Sequence, residues 1–245
     1  MLLKDYNLRK VLFIDIETVS RHKKFEELDA VWQNLWELKH NTFQNNTDTA
    51  ASSYEKRAAI FAEFGKVICI SLGYFYRNKN TQRDEFRVKS FFDTDEKALL
   101  SNFASLLEKY FPDEQDWQLC GHNIKEFDIP FLCRRMMANG TKLPEMLDLS
   151  GKKPWEVNII DTMQQWKFGD YKNYTSLKLI AATLDIPSPK DDIEGKDVGH
   201  VYWNENNLPR IVTYCQRDVV TVARILMKIK GEDHTLEEIS ISIQP

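Results

Sequence analysis

Asp15 and Glu17 lie two residues apart in VLFIDIET, where residues 11–16 form a β-branched, apolar run that reads as a buried strand. Alternate residues of a strand face the same way, so both carboxylates share one side. Adjacent anions repel and are costly to bury, and a divalent cation removes that cost. The same D-x-E spacing recurs at Asp192/Glu194, in a loop-like segment, whereas Asp15 interrupts an apolar strand. Taken alone, the first pair is also compatible with surface acids. Asp128 opens a helix in GHNIKEFDIPFL. The helix dipole favours an acid there, but Phe127, Ile129, Phe131 and Leu132 surround it with apolar bulk, so it needs a partner. Asp218 and Tyr214 are four apart in TYCQRDVVTVARIL and share one helix face, beside a stripe of Val219, Val222, Ile225 and Leu226. A simple acid–tyrosine hydrogen bond would explain that pair equally well.

Taken together, these residue types suit phosphodiester hydrolysis. That reaction needs an activated water and neutralisation of charge on the phosphoryl and leaving oxygens, and two divalent ions about 4 Å apart provide both. Hard ions such as Mg²⁺ or Mn²⁺ prefer carboxylate oxygens to imidazole or thiolate. A tyrosine hydroxyl close by can orient the attacking water.

The elements that must position these groups follow from periodicity. After the first strand, Phe25, Leu28, Trp32, Leu35 and Trp36 recur at helical spacing, 40–53 reads as a loop, and 54–64 reads as helix. Strands are predicted over 66–76 and 84–92. A helix capped by Asp93 or Thr94 then runs to Tyr110. A short strand covers 117–120, and a helix covers 127–139 with Pro130 in its first turn. Another short strand spans 157–161 and a helix 176–184. Residues 188–200 are expected to be a mobile loop, a long helix runs from Asn207 or Pro209 to Lys230, and the tail 231–245 is expected to be loosely attached. Three consecutive strands followed by alternating helix and strand predict an α/β fold, a mixed sheet with helices on both faces.

The 245 residues suit one domain over 1–245 with an insertion at about 21–60. Apolar residues are 42% and charged residues 29%, and no stretch is long and apolar enough for a membrane span or signal peptide. The four cysteines, Cys69, Cys120, Cys133 and Cys215, form no CxxC pair and read as reduced thiols of a cytoplasmic protein. A net charge of −4 argues against nucleic-acid binding by bulk positive field, but it is compatible with an enzyme that meets phosphate through bound cations.

FIDIET, GHNIKEFDIPFL and YCQRDVVT, in this order, resemble the three exonuclease motifs of the DEDD superfamily. The likeness is to the proofreading 3′→5′ exonuclease domain of family B DNA polymerases and to stand-alone bacterial proteins predicted to be related to it. It spans residues 10–228. Three residues separate Tyr214 from Asp218, and Thr213 stands where a histidine would mark the other branch, so the chain resembles the tyrosine branch. The resemblance implies a ribonuclease-H-like fold and a two-metal (Mg²⁺ or Mn²⁺) 3′→5′ exonuclease. It would act on single-stranded or frayed ends, on DNA more than RNA, and release nucleoside 5′-monophosphates. It implies Asp15, Glu17 and Asp218 as metal ligands, with Asp128 serving the second metal. Tyr214 would position the nucleophile, with Thr18, Asn123 and Phe127 touching substrate. Without a following polymerase domain, any polymerase or repair partner would act in trans. An RNA-trimming exonuclease and a non-catalytic nucleic-acid-binding module are the alternatives.

Three features remain open. Trp32 and Trp36 in the inserted segment suit core packing or a base-stacking platform. His122 reads as a hydrogen-bonding loop residue rather than a catalytic one. Lys125, Arg134, Arg135, Lys167, Lys172 and Lys178 suit either a phosphate track or solvated helix faces.

Overall fold

A computed structural model describes residues 7–43, 47–112, 116–153, 156–170, 172–187, 193–231 and 240–244, the last segment as backbone. Its strands are β1 (Val11–Ser20), β2 (Gly65–Arg77), β3 (Asp84–Phe92), β4 (Gln118–Gly121), β5 (Ile159–Asp161) and β6 (Ser240–Gln244). They form one six-stranded sheet in the order β5-β4-β1-β2-β3-β6. β1, β2 and β3 pair antiparallel, while β4, β5 and β6 join parallel. The helices are α1 (Ala30–His40), α2 (Ala50–Arg57), α3 (Glu96–Tyr110), α4 (Asp128–Ala138), α5 (Thr162–Lys167), α6 (Leu177–Thr183), α7 (Val198–Trp203) and α8 (Leu208–Lys230).

Strand alternation sorts β1 between two cores. Leu12, Ile14 and Ile16 pack with α3 and α4, through Leu99, Phe103, Phe131 and Leu132. Val11 and Phe13 face α8, through Val219, Val222, Ala223 and Leu226. Each such aliphatic side chain contributes roughly 1.5–3 kcal/mol when fully buried. α8 begins where the Asn207 side chain accepts the Arg210 N–H, and it stops at Gly231, whose φ of 77° favours glycine. Gly73 lets α8 lie directly on the sheet, because a Cβ there would stand 2.7 Å from a Val219 methyl and 2.4 Å from the Phe86 ring.

Several boundaries differ from the sequence expectation, each for a local reason. Helix α2 starts at Ala50, because Thr49 accepts the Ser52 N–H and ends the loop early. The cap of α3 is Asp95, which accepts the N–H groups of Lys97 and Ala98, rather than Asp93 or Thr94. Within the expected 188–200 loop, residues 195–197 form a 3-10 turn held by a Glu194/Asp197 capping box, and α7 follows, burying Val198 and Val201. Residues 188–192 lie outside the described residues. The expected loose tail pairs instead, as β6 along β3, over 240–244.

The segment around 21–60 packs about its own aromatic core. Trp36 is fully buried among Tyr54, Phe61 and Phe64, and its indole N–H donates to the Ala50 carbonyl. This settles Trp36 as core, whereas Trp32 stays partly exposed. The segment is anchored to β1 by Thr18 Oγ1 donating to Ala59 O, and its start is tied to the residues before β2 by the Arg21 N–H donating to Phe64 O.

A buried ion pair fixes α4 against α3 and β2. Arg135 donates Nε and Nη2 to Glu96 Oε1 and Oε2 at 2.9 and 2.6 Å, and Nη1 to the Ala62 carbonyl. Glu96 also accepts the Val67 N–H and the Asn139 amide. Arg135 is therefore structural and does not belong to a phosphate track. Replacing Arg135 by Ala leaves the Glu96 charge buried and unpaired, and denaturant unfolding should show a loss of about 3–5 kcal/mol; a loss below about 1 kcal/mol would refute the clamp.

Candidate active site

β1 presents Asp15 and Glu17 on the side that faces α8. Asp15 stands opposite Ser71 and Glu17 opposite Cys69 on β2. Directly after Glu17 the register shifts, since Thr18 pairs with Val67 and Ile68 is left over, a β-bulge beside the acid pair. α8 approaches this face with Cys215, Tyr214 and Asp218. The Cys215 thiol donates to the Asp15 carbonyl at 3.4 Å, and the Tyr214 hydroxyl is hydrogen-bonded to Asp218. Asp15, Glu17 and Cys215 each bring a ligand-capable atom to one point, all within 4.8 Å of one another.

Asp128 arrives from the other edge of β1. β4 pairs with β1 only as far as Phe13↔Cys120. The chain then turns at Gly121, where a Cβ would stand 3.0 Å from the Ile14 carbonyl. The Ile16 N–H is thereby left without a strand partner, and Asp128 Oδ1 accepts it at 3.2 Å. Four acids spread over about two hundred residues of sequence thus reach one region of β1.

Their electrostatics show the cost. The carboxyls of Asp15 and Glu17 are pushed well above the ordinary range, first by burial and then by Asp218 and the other acids. Asp128 is raised to about 7, chiefly by burial, with Asp161 and Asp218 adding to it and its backbone hydrogen bonds opposing it. Burial and the same anions push the Tyr214 hydroxyl upward. Asp15 Oδ2 is buried without a hydrogen-bond partner. A buried carboxylate oxygen left so is expensive, and a hard cation would satisfy it. The residues fit such an ion, since carboxylates supply oxygen donors. Cys215 fits a hard ion less well, because its sulfur is a soft donor and its proton is engaged at Asp15 O.

Asp161 was not singled out in the sequence. It ends β5 and is buried. It caps α5 by accepting the Met163 and Gln164 N–H groups, and it also accepts those of Asn123 and Lys125. It therefore shapes the loop that delivers Asp128. The available signal was its place at a strand end before a short helix, an N-cap position. In that loop Asn123 holds a left-handed φ of 60° with its side-chain Oδ1 buried and unpartnered. Phe127 precedes α4 and packs on Phe131. Thr18 follows the bulge, with its hydroxyl on Ala59. His122 donates Nε2 to the Thr175 carbonyl and places Nδ1 beside Thr162, and burial lowers its pKa, as suits a structural histidine.

A family model described as "predicted 3′-5′ exonuclease related to the exonuclease domain of PolB" matches residues 60–241. The chain belongs to this family. The match begins after β1, so it is the geometry that joins Asp15 and Glu17 to the later motifs. No curated protein matches this chain. Among solved structures, the family B DNA polymerase from the hyperthermophilic archaeon Pyrobaculum calidifontis is similar, with a TM-score of 0.51 and 17% identity over 89% of this chain. The chain spans about a quarter of that polymerase, 24% of its length. Identity this low speaks for the fold, and the fold is the ribonuclease-H-like α/β arrangement expected from the sequence. Among the described residues no helix is long and apolar enough to cross a membrane.

The raised carboxyls dictate how the metal-free protein responds to pH. A native pKa above the unfolded value keeps a proton on the folded state that the unfolded chain releases. Stability from these groups is thus fully present below the ordinary carboxyl range and falls as pH rises toward and through 7. In EDTA the thermal midpoint should fall from pH 5 to pH 8, and Asp15→Asn should flatten that fall and melt about 2–4 °C higher than wild type at pH 8. Calorimetry would reject repulsion at the site if the variant melted lower at pH 8 with the same slope.

Proposed function

We propose that the chain is a divalent-metal-dependent 3′→5′ exonuclease that removes nucleoside 5′-monophosphates from single-stranded or frayed 3′ ends of DNA. The observation that carries this reading is the partnerless Asp15 Oδ2 lying among Glu17, Asp128 and Asp218, where burial and the neighbouring anions raise the carboxyls of Asp15, Glu17 and Asp128. Asp15, Glu17 and Asp218 would hold two ions, Mg²⁺ or Mn²⁺, with Asp128 serving the second. When bound, such ions neutralise charge on the phosphate and acidify the attacking water.

The chain's own groups do the rest. Asp128 is pinned through Oδ1 to the Ile16 N–H, and its other oxygen would serve the site. Tyr214 stays protonated, since burial and the neighbouring anions raise its pKa; it donates to Asp218 and offers its oxygen to orient water. Thr18 on β1, with Asn123 and Phe127 in the loop before α4, would touch the terminal nucleotides. Four free thiols suit a reducing cytoplasm.

With Mn²⁺ and a 3′-labelled single-stranded oligonucleotide, wild type should release labelled mononucleotide first, and EDTA should abolish release. Asp15→Ala and Asp218→Ala should each lower the rate about a thousandfold or more, the several kcal/mol that metal-assisted charge neutralisation provides. Full activity in either variant would overturn the assignment, and faster digestion of a matched RNA strand would reverse the substrate preference.

A further inference from the structure

A groove of about 520 Å³ opens where the inserted segment meets β1, β2 and α4. Arg21, Trp32, Lys66 and Arg134 line it, with Glu63 as its one acid outside the Glu96–Arg135 clamp. Three cations against one acid make a locally positive surface on a chain of net charge −4. Arg21 and Arg134 are exposed. The Arg21 guanidinium lies 5.1 Å from the centre of the Trp32 ring, which packs edge-on against Phe64. Lys66 donates to the Tyr202 hydroxyl and sits against the Tyr202 and Trp203 rings of α7. An arginine stacked on a fixed indole is a planar cation that stacks on bases and pairs with phosphates.

The groove's position relates it to the carboxylates. Arg21 lies four residues beyond Glu17, about 13 Å along an extended chain. Arg134 lies six residues beyond Asp128, about 9 Å along α4. Both elements lead from the acids to this groove. At about 3.4 Å or more per nucleotide, that span is no more than about four nucleotides.

We propose that the groove is a second binding site for single-stranded nucleic acid. It would hold the strand a few nucleotides upstream of the 3′ end, with a base against the Trp32–Arg21 stack and phosphates on Arg21, Lys66 and Arg134. The inserted segment then serves as the upstream wall of the substrate track. The inference rests on the exonuclease reading for its direction, but its binding can be tested without catalysis.

In an Asp15→Asn background, fluorescence anisotropy with 5′-labelled dT20 should show Arg21→Gln and Arg134→Gln each binding about tenfold more weakly at low salt. Each should also reduce the slope of log affinity against log salt by about 0.7. Trp32→Ala should weaken binding about tenfold, with Trp32→Phe partly restoring it. Lys10→Gln, at the opposite end of β1, should bind as the parent does. In the active background, the groove variants should lose kcat/KM on dT20 but digest the dinucleotide dT2, too short to reach the groove, at the wild-type rate. Groove variants that bind dT20 like the parent overturn the proposal and leave the exonuclease reading intact. If wild type digests neither substrate, the exonuclease reading falls, and the anisotropy arm still decides the groove. A parent that does not bind dT20 overturns the groove as well.

Discussion

Repulsion among buried carboxylates is the constraint around which this fold is arranged. Asp15, Glu17, Asp128 and Asp218 come from one strand and two helices, and each raises the cost of ionising another. A loose scaffold would relieve that cost by letting the acids drift into water. This one cannot, because β1 lies between two cores, α8 rests on the sheet over Gly73, and α4 is bolted to α3 and β2 through Arg135 and Glu96. The apolar contacts of α8 and the clamp on α4 supply the stability that the acid cluster withdraws. Strain of this kind, concentrated where chemistry is expected and offset elsewhere, is the usual relation between a site and its scaffold.

Much of this was legible in the sequence because it is local. The apolar run around Asp15, the four-residue spacing of Tyr214 and Asp218, and the long period of α8 follow from strand and helix geometry alone. What was not legible depends on contacts between distant residues. Arg135 looks the same in sequence as Arg134 beside it, yet one is locked to Glu96 and the other faces solvent. Asp161 carries no motif, since its role comes from backbone N–H groups in a loop some forty residues earlier. Helix α7 was hidden in a stretch of breakers because two buried valines and a capping box outweigh local propensity. β6 is parallel to β3, a pairing between strands far apart in the chain, which no turn signal announces.

The aromatic segment between β1 and β2 shows how one sequence feature divides into two roles. Trp36 is fully enclosed, with its indole N–H satisfied by a carbonyl, so it holds the segment together. Trp32, one helical turn earlier, reaches the rim and meets Arg21 from β1's exit. Helical spacing alone presents both rings on one side of α1. Only the position of Phe64 and the depth of the small core decide which ring is sealed and which stays accessible.

The short pairing between β4 and β1 sets a rule for transplanting this arrangement. Had β4 continued two residues past Cys120, the ladder would have claimed the Ile16 amide, and Asp128 would have had no socket on the strand. An incomplete seam in the sheet is therefore part of what brings the four acids together. A designer who regularised the strands of this scaffold for greater stability would erase the docking point of the fourth acid without touching any acid at all.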